Sequence, residues 1–135
     1  MKKIALLLFY FVFSITYAQE IVISNPSSPG GVPSGSTFSF GNIVLGDSSS
    51  ETFTISNNST FASTLTINTP ISDANSEFTI TEQPASSVSS GFPTTFIVKF
   101  KPSTAGTRTG QISFGNGDSN GDENPYIINL TGTVT

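Results

Sequence analysis

The sequence predicts an all-β fold, an antiparallel sandwich of seven to eight short strands, on three observations. Apolar side chains alternate with Ser or Thr over several segments, the period-two pattern of strands with one buried face. Between them lie stretches dense in Gly, Pro, Asn, Asp and Ser, residues that supply positive φ, fixed φ or local side-chain hydrogen bonds and so mark turns. Helical periodicity is missing from residue 19 onward, so no crossover helices are available and the strands must cover one another as two packed sheets.

The first eighteen residues stand outside this pattern and read as an export signal. Lys2 and Lys3 give a positive start, Ile4 to Thr16 form the apolar run, and Thr16-Tyr17-Ala18 offers small residues for cleavage before Gln19. The run is shorter than the roughly 20 residues that span a bilayer, so no membrane span is expected after cleavage. The remaining 117 of the 135 residues suit one domain with one core. Residues 19–37 are expected to be an N-terminal strand and a Gly/Pro/Ser-rich lead-in, and 38–135 the sandwich. The expected location is exported: periplasmic, cell-surface or extracellular.

Taken in order, weak strands are expected around Glu20 to Ser24 and Thr37 to Phe40. Clear ones follow at Thr52 to Ser56, Thr64 to Asn68, Glu77 to Thr81 and Thr95 to Lys101. Two more are expected at Thr109 to Phe114 and Tyr126 to Val134. In each clear strand Phe, Ile, Leu or Val points one way and a hydroxyl or charge the other. The inward set is Phe53, Ile55, Leu65, Ile67, Phe78, Ile80, Phe96, Val98, Phe100, Ile112, Phe114, Ile128 and Leu130. Cys and Trp are both absent, so the core lacks the Cys-Trp-Cys arrangement of antibody domains and any immunoglobulin likeness is architectural.

Composition also restricts the chemistry. After signal removal three basic and nine acidic side chains leave a net charge of −6, which repels nucleic acid and anionic lipid surfaces. There is no His and no Cys, so a Ser-His dyad, a thiolate nucleophile and a His/Cys zinc site cannot be assembled. Glu77 and Glu82 are the nearest candidates for a carboxylate pair, but five residues apart on one strand they face opposite sides. No enzyme and no cofactor is expected.

Asp118, Asn120, Asp122 and Asn124 recur at every second position of a Gly/Asn/Asp loop, the oxygen-ligand spacing of calcium loops. The full EF-hand pattern fails, because Glu123 stands where Gly is required and Asn129 where a bidentate Glu is required. A long hairpin turn is the expected reading, with at most weak calcium binding. Phe61 and Phe92 fall in expected loops, where they either contact a sugar or protein partner or fold back to cap the core; the cap is the expected role. The last strand, long and uncharged, is a possible open edge for a partner's strand, although pairing within its own sheet is expected.

In order and spacing, several of these pieces resemble the choice-of-anchor D domains of secreted bacterial proteins, which are similar to the ASPM/Hydin (ASH) group and more distantly to major sperm protein. The pieces are Phe40 to Gly46, Thr52 to Asn57, Phe78 to Ile80, Pro93 to Pro102, Ala105 to Arg108, and Asp122 to Tyr126 leading to Leu130 to Thr133. The resemblance spans Phe38 to Thr133. It implies an immunoglobulin-like module that works as a structural or adhesive unit toward protein or surface partners, with no enzymatic residues to carry over. No anchor domain of the kind usual in that group is expected after Thr135, and Phe92 stands where a small or polar residue is usual.

Overall fold

A computed structural model describes residues 20–59, 63–118 and 123–135. Nine strands are present: β1 (Ile21–Ser24), β2 (Thr37–Ile43), β3 (Ser49–Asn57), β4 (Thr64–Thr66), β5 (Phe78–Glu82), β6 (Ser87–Ser89), β7 (Thr94–Phe100), β8 (Gly106–Phe114) and β9 (Tyr126–Val134). One sheet has the order β1-β3-β7-β5, a second β2-β9-β8, and β4 pairs with β6. The Asn68 amide donates to Gly115 O and the Gly117 amide to Thr66 O, so β4 continues the second sheet beyond the end of β8. Two layers result, as the alternating pattern requires.

Register explains the burial. In β3, Phe53 and Ile55 face inward opposite Phe96 and Thr94 of β7, while Thr52 and Thr54 face away. Of the thirteen residues expected inside, twelve are buried and Ile80 packs against them half-buried. Ile21, Ile23, Val32, Phe38, Phe40, Ile71, Val88, Tyr126 and Val134 complete the core. The lead-in segment therefore supplies core side chains to the same sandwich. Aromatic rings carry much of the interior: Phe78 stacks on Phe100 with centroids 4.3 Å apart, and Phe53 on Phe96 at 5.1 Å. Each fully buried Phe contributes about 1.5–3 kcal/mol through the area it removes from water.

Three details differ from the sequence reading. β9 is the middle strand of its sheet, antiparallel to β8 and parallel to β2, so its backbone groups are engaged on both sides and it offers no open edge. The β2–β9 pair is also the parallel exception in an otherwise antiparallel set; its register shifts between Ser39 and Asn42, where Gly41 takes φ of 73°. β6 lies inside a stretch expected to be loop, Gln83 to Pro93, because three residues with one apolar side chain show no period.

Candidate interaction surface

Charged and apolar side chains at the two ends of the sandwich are the candidates for contact. At one end the β2–β3 turn exposes Val44 (61%) and Leu45 (48%). Backbone bonds pin the turn: Leu45 N–H donates to Thr135 O at 2.9 Å, Thr135 N–H to Ile43 O at 3.0 Å, and Asp47 N–H to Val44 O at 3.0 Å. Beside it is an open, largely polar cleft of about 580 Å³ lined by Asn42, Val44, Asp47 and Ser49. Sequence reasoning used this stretch only for the resemblance and missed its exposure. The signal was there in Ile43-Val44-Leu45, since three apolar residues in succession cannot all face one side of a strand.

At the opposite end the β6–β7 turn presents Phe92, 77% exposed. Its amide donates to Ser89 O at 3.0 Å and Gly91 takes φ of 81°, a tight turn that directs the ring outward. Phe92 does not fold back as the expected core cap: Leu65, Val88 and Phe96 already fill the adjoining interior, each at 0% exposure. Phe61 lies outside the described residues.

In the acidic loop, Asp118 is buried and its amide donates to Asn116 Oδ1 at 2.8 Å. Asn116 in turn donates its backbone amide to Asn124 Oδ1 at 3.1 Å and its side-chain amide to Glu123 O at 2.8 Å. Asn116, not singled out from sequence, is the centre of this knot. The Asn124 oxygen is directed to backbone, as in a turn; Asn120 and Asp122 lie outside the described residues. Among the described residues no group of three or more His, Cys, Asp or Glu could hold a metal, and no helix is long and apolar enough to cross a membrane.

Glu77 and Glu82 do not form a pair. Glu77, just ahead of β5, is buried and held by Arg108 Nε at 2.7 Å and by the amide and hydroxyl of Ser103, both at 2.9 Å. The Ser103 amide above all, then Arg108, keeps its carboxyl below the ordinary value of 4.5. A carboxylate so occupied is structural. Glu82 is exposed and lies past a bulge in β5.

The N-terminal part of the chain thus crosses between the layers, β1 lying on β3 in one sheet and β2 on β9 in the other, in an immunoglobulin-like sandwich with the fold of ASH/PapD-like domains. Residues 34–135 match the Cep192 domain 4 family, and the chain belongs to it. Among solved structures it is similar to the ASH/PapD-like domain 7 of human CEP192, with TM-score 0.58 and 11% identity over 97% of both chains. It is also similar to a protein of unknown function from Porphyromonas gingivalis W83, with TM-score 0.63 and 15% identity over 89% of this chain. A third similarity is to the VesB protease of Vibrio cholerae, with TM-score 0.53 and 13% identity over 76% of this chain. The chain spans 50% of the Porphyromonas protein and 31% of VesB. No curated protein matches.

Proposed function

We propose that this chain is an exported, non-catalytic structural or adhesive module of a bacterial cell envelope or surface protein, binding protein or surface partners through its ends. One observation carries the reading: among the described residues the large apolar side chains left exposed are Val44, Leu45 and Phe92, all in turns at the ends of the sandwich. Pinned turns present such side chains at little entropic cost, and exposed rings and aliphatics anchor protein contacts. The N-terminal signal pattern and the absence of His and Cys support export and a non-catalytic role.

A photo-crosslinking residue placed at Phe92 or Val44, in the chain expressed by its own cells, tests this. A discrete adduct from either position is expected, with none from the exposed strand position Ser113. Equal labelling from all three positions, or from none, would reject the end-on reading.

A further inference from the structure

The two ends of the sandwich differ in shape. The end formed by the β2–β3 turn is recessed: its cleft has Ile43 and Val44 on the apolar side and Asn42, Asp47 and Ser49 on the polar one. At about 580 Å³ it is wide enough to admit a phenyl side chain. The other end projects, with the Phe92 ring carried outward on a turn whose Ser90 hydroxyl donates to Ser59 O at 2.9 Å. The nine residues of β3 run from one end to the other, which at about 3.3 Å per residue sets the recess and the ring roughly 30 Å apart.

The ends differ in charge as well. After Lys3 the cations of the chain are Lys99, Lys101 and Arg108, and all three belong to the recessed end. Lys99 pairs across to Ser50, next to the cleft; Lys101 N–H donates to the Glu77 carbonyl; Arg108 lies opposite Gly132. Arg108 is occupied by Glu77, so the lysines are the cations left over. On the acidic side of this end, Asp47 lines the cleft and the Glu51 carboxylate accepts from the Asn25 side chain at 3.1 Å.

The projecting end carries the exposed Glu20 and Glu82: Glu20 O accepts from Asn58 N–H just past β3, and Glu82 lies opposite Ile97 in the first half of β7. No cation of the described chain is placed there. Two projecting ends brought together would therefore set carboxylate against carboxylate, whereas a projecting end brought to a recessed one sets carboxylates against lysines.

We infer that the partner of these ends is a second copy of this chain. The Phe92 ring of one molecule enters the β2–β3 cleft of the next and packs beside Val44 and Leu45, with Glu20 and Glu82 of the first drawn to Lys99 and Lys101 of the second. Such a contact is heterologous, and its two halves lie at opposite ends of the strands, so it propagates as a row of molecules and does not close at two. One end of a small sandwich gives a small interface, which places the association in the weak, reversible class. The inference rests on the reading of the ends as contact surfaces and names what they contact.

Sedimentation of the protein purified from its own cells tests this, because the two halves of a heterologous contact can be removed separately. The unaltered protein should gain average mass with concentration past that of a dimer, and less so as salt screens the charges. Phe92→Ser and Val44→Asp, both changes at exposed side chains, should each weaken association at least about tenfold. An equimolar mixture of the two variants should associate again and stop at the dimer, since it joins the intact cleft of one to the intact ring of the other. A protein that stays monomeric up to about 1 mM, association that survives either substitution, or variants that remain apart when mixed overturns the inference. If the chain is monomeric while Phe92 or Val44 crosslinks to a different protein, the end-on reading stands and only the second copy falls as its partner.

Discussion

Gly132 is a residue whose role only three dimensions disclose. It lies buried on β9, and a Cβ built there would come no farther than 3.0 Å from three atoms of the Phe100 ring. The ring is itself stacked on Phe78 and cannot retreat. Gly132→Ala should therefore overpack the core and lower stability by about 1–3 kcal/mol, read as a lower urea midpoint with unchanged slope. An unchanged midpoint would show that the Phe78–Phe100 stack can shift as a unit. In the sequence Thr131-Gly132-Thr133 is part of a resemblance, with no physical reason for the glycine, because the ring it faces is 32 residues away. Phe92 failed differently. A Phe in a loop is compatible with both cap and contact, and only the filled interior behind the β6–β7 turn shows that the cap has nothing to cover.

For single elements, legibility followed length and burial on one face. β3, β7 and β9 were readable because seven to nine residues repeat the same inward and outward assignment, whereas β6 holds only Val88 between two serines. Strand order was not readable, since nothing local says that β9 enters between β2 and β8. Edge protection was equally hidden. The outer side of β5 is closed by the segment before it: Phe78 N–H donates to Asn75 Oδ1 at 3.0 Å, Phe78 O accepts from Ala74 at 3.1 Å, and Ile80 N–H donates to Asp73 Oδ1. Asn75 also reaches across the layers, donating its side-chain amide to Thr109 O of β8 at 3.0 Å. One side chain thus covers part of the β5 edge and ties it to β8 of the other sheet. Asn75→Ala should cost about 1–3 kcal/mol through the amides and carbonyl left without partners. Hydrogen exchange should quicken first at Glu77 and Phe78, whose amides it accepts. Uniform quickening across all strands would mean that Asn75 supports the fold globally and is no local clip.

Across the whole molecule, two buried groups tie the layers together and set the limits of pH stability from opposite sides. Glu77 binds Arg108 of the second sheet while its backbone carbonyl accepts from Lys101, and its folded pKa lies below 4.5. The unfolded chain therefore takes up this proton at a higher pH than the folded one. Stability from Glu77 is complete above the unfolded value and is lost as pH falls from about 4.5 toward the depressed folded value. Tyr126 donates its hydroxyl proton to Val32 O at 2.6 Å, and burial, then the Glu123 charge, push its pKa up to about 12 from 10.0. Here the unfolded chain gives up its proton first. Stability from the neutral phenol is complete below pH 10 and is lost between 10 and 12, by an amount on the order of 2 kcal/mol. Urea midpoints measured from pH 3 to 12 should show a plateau with these two shoulders. Glu77→Gln should lower the plateau and flatten the acid shoulder alone. Tyr126→Phe leaves Val32 O and the Ile23 amide without their partner, so it should lower the plateau by about 1–3 kcal/mol and flatten the alkaline shoulder alone. If either substitution altered both shoulders equally, the two contacts would be parts of one coupled network, and the separate assignment of the two limits to Glu77 and Tyr126 would fall.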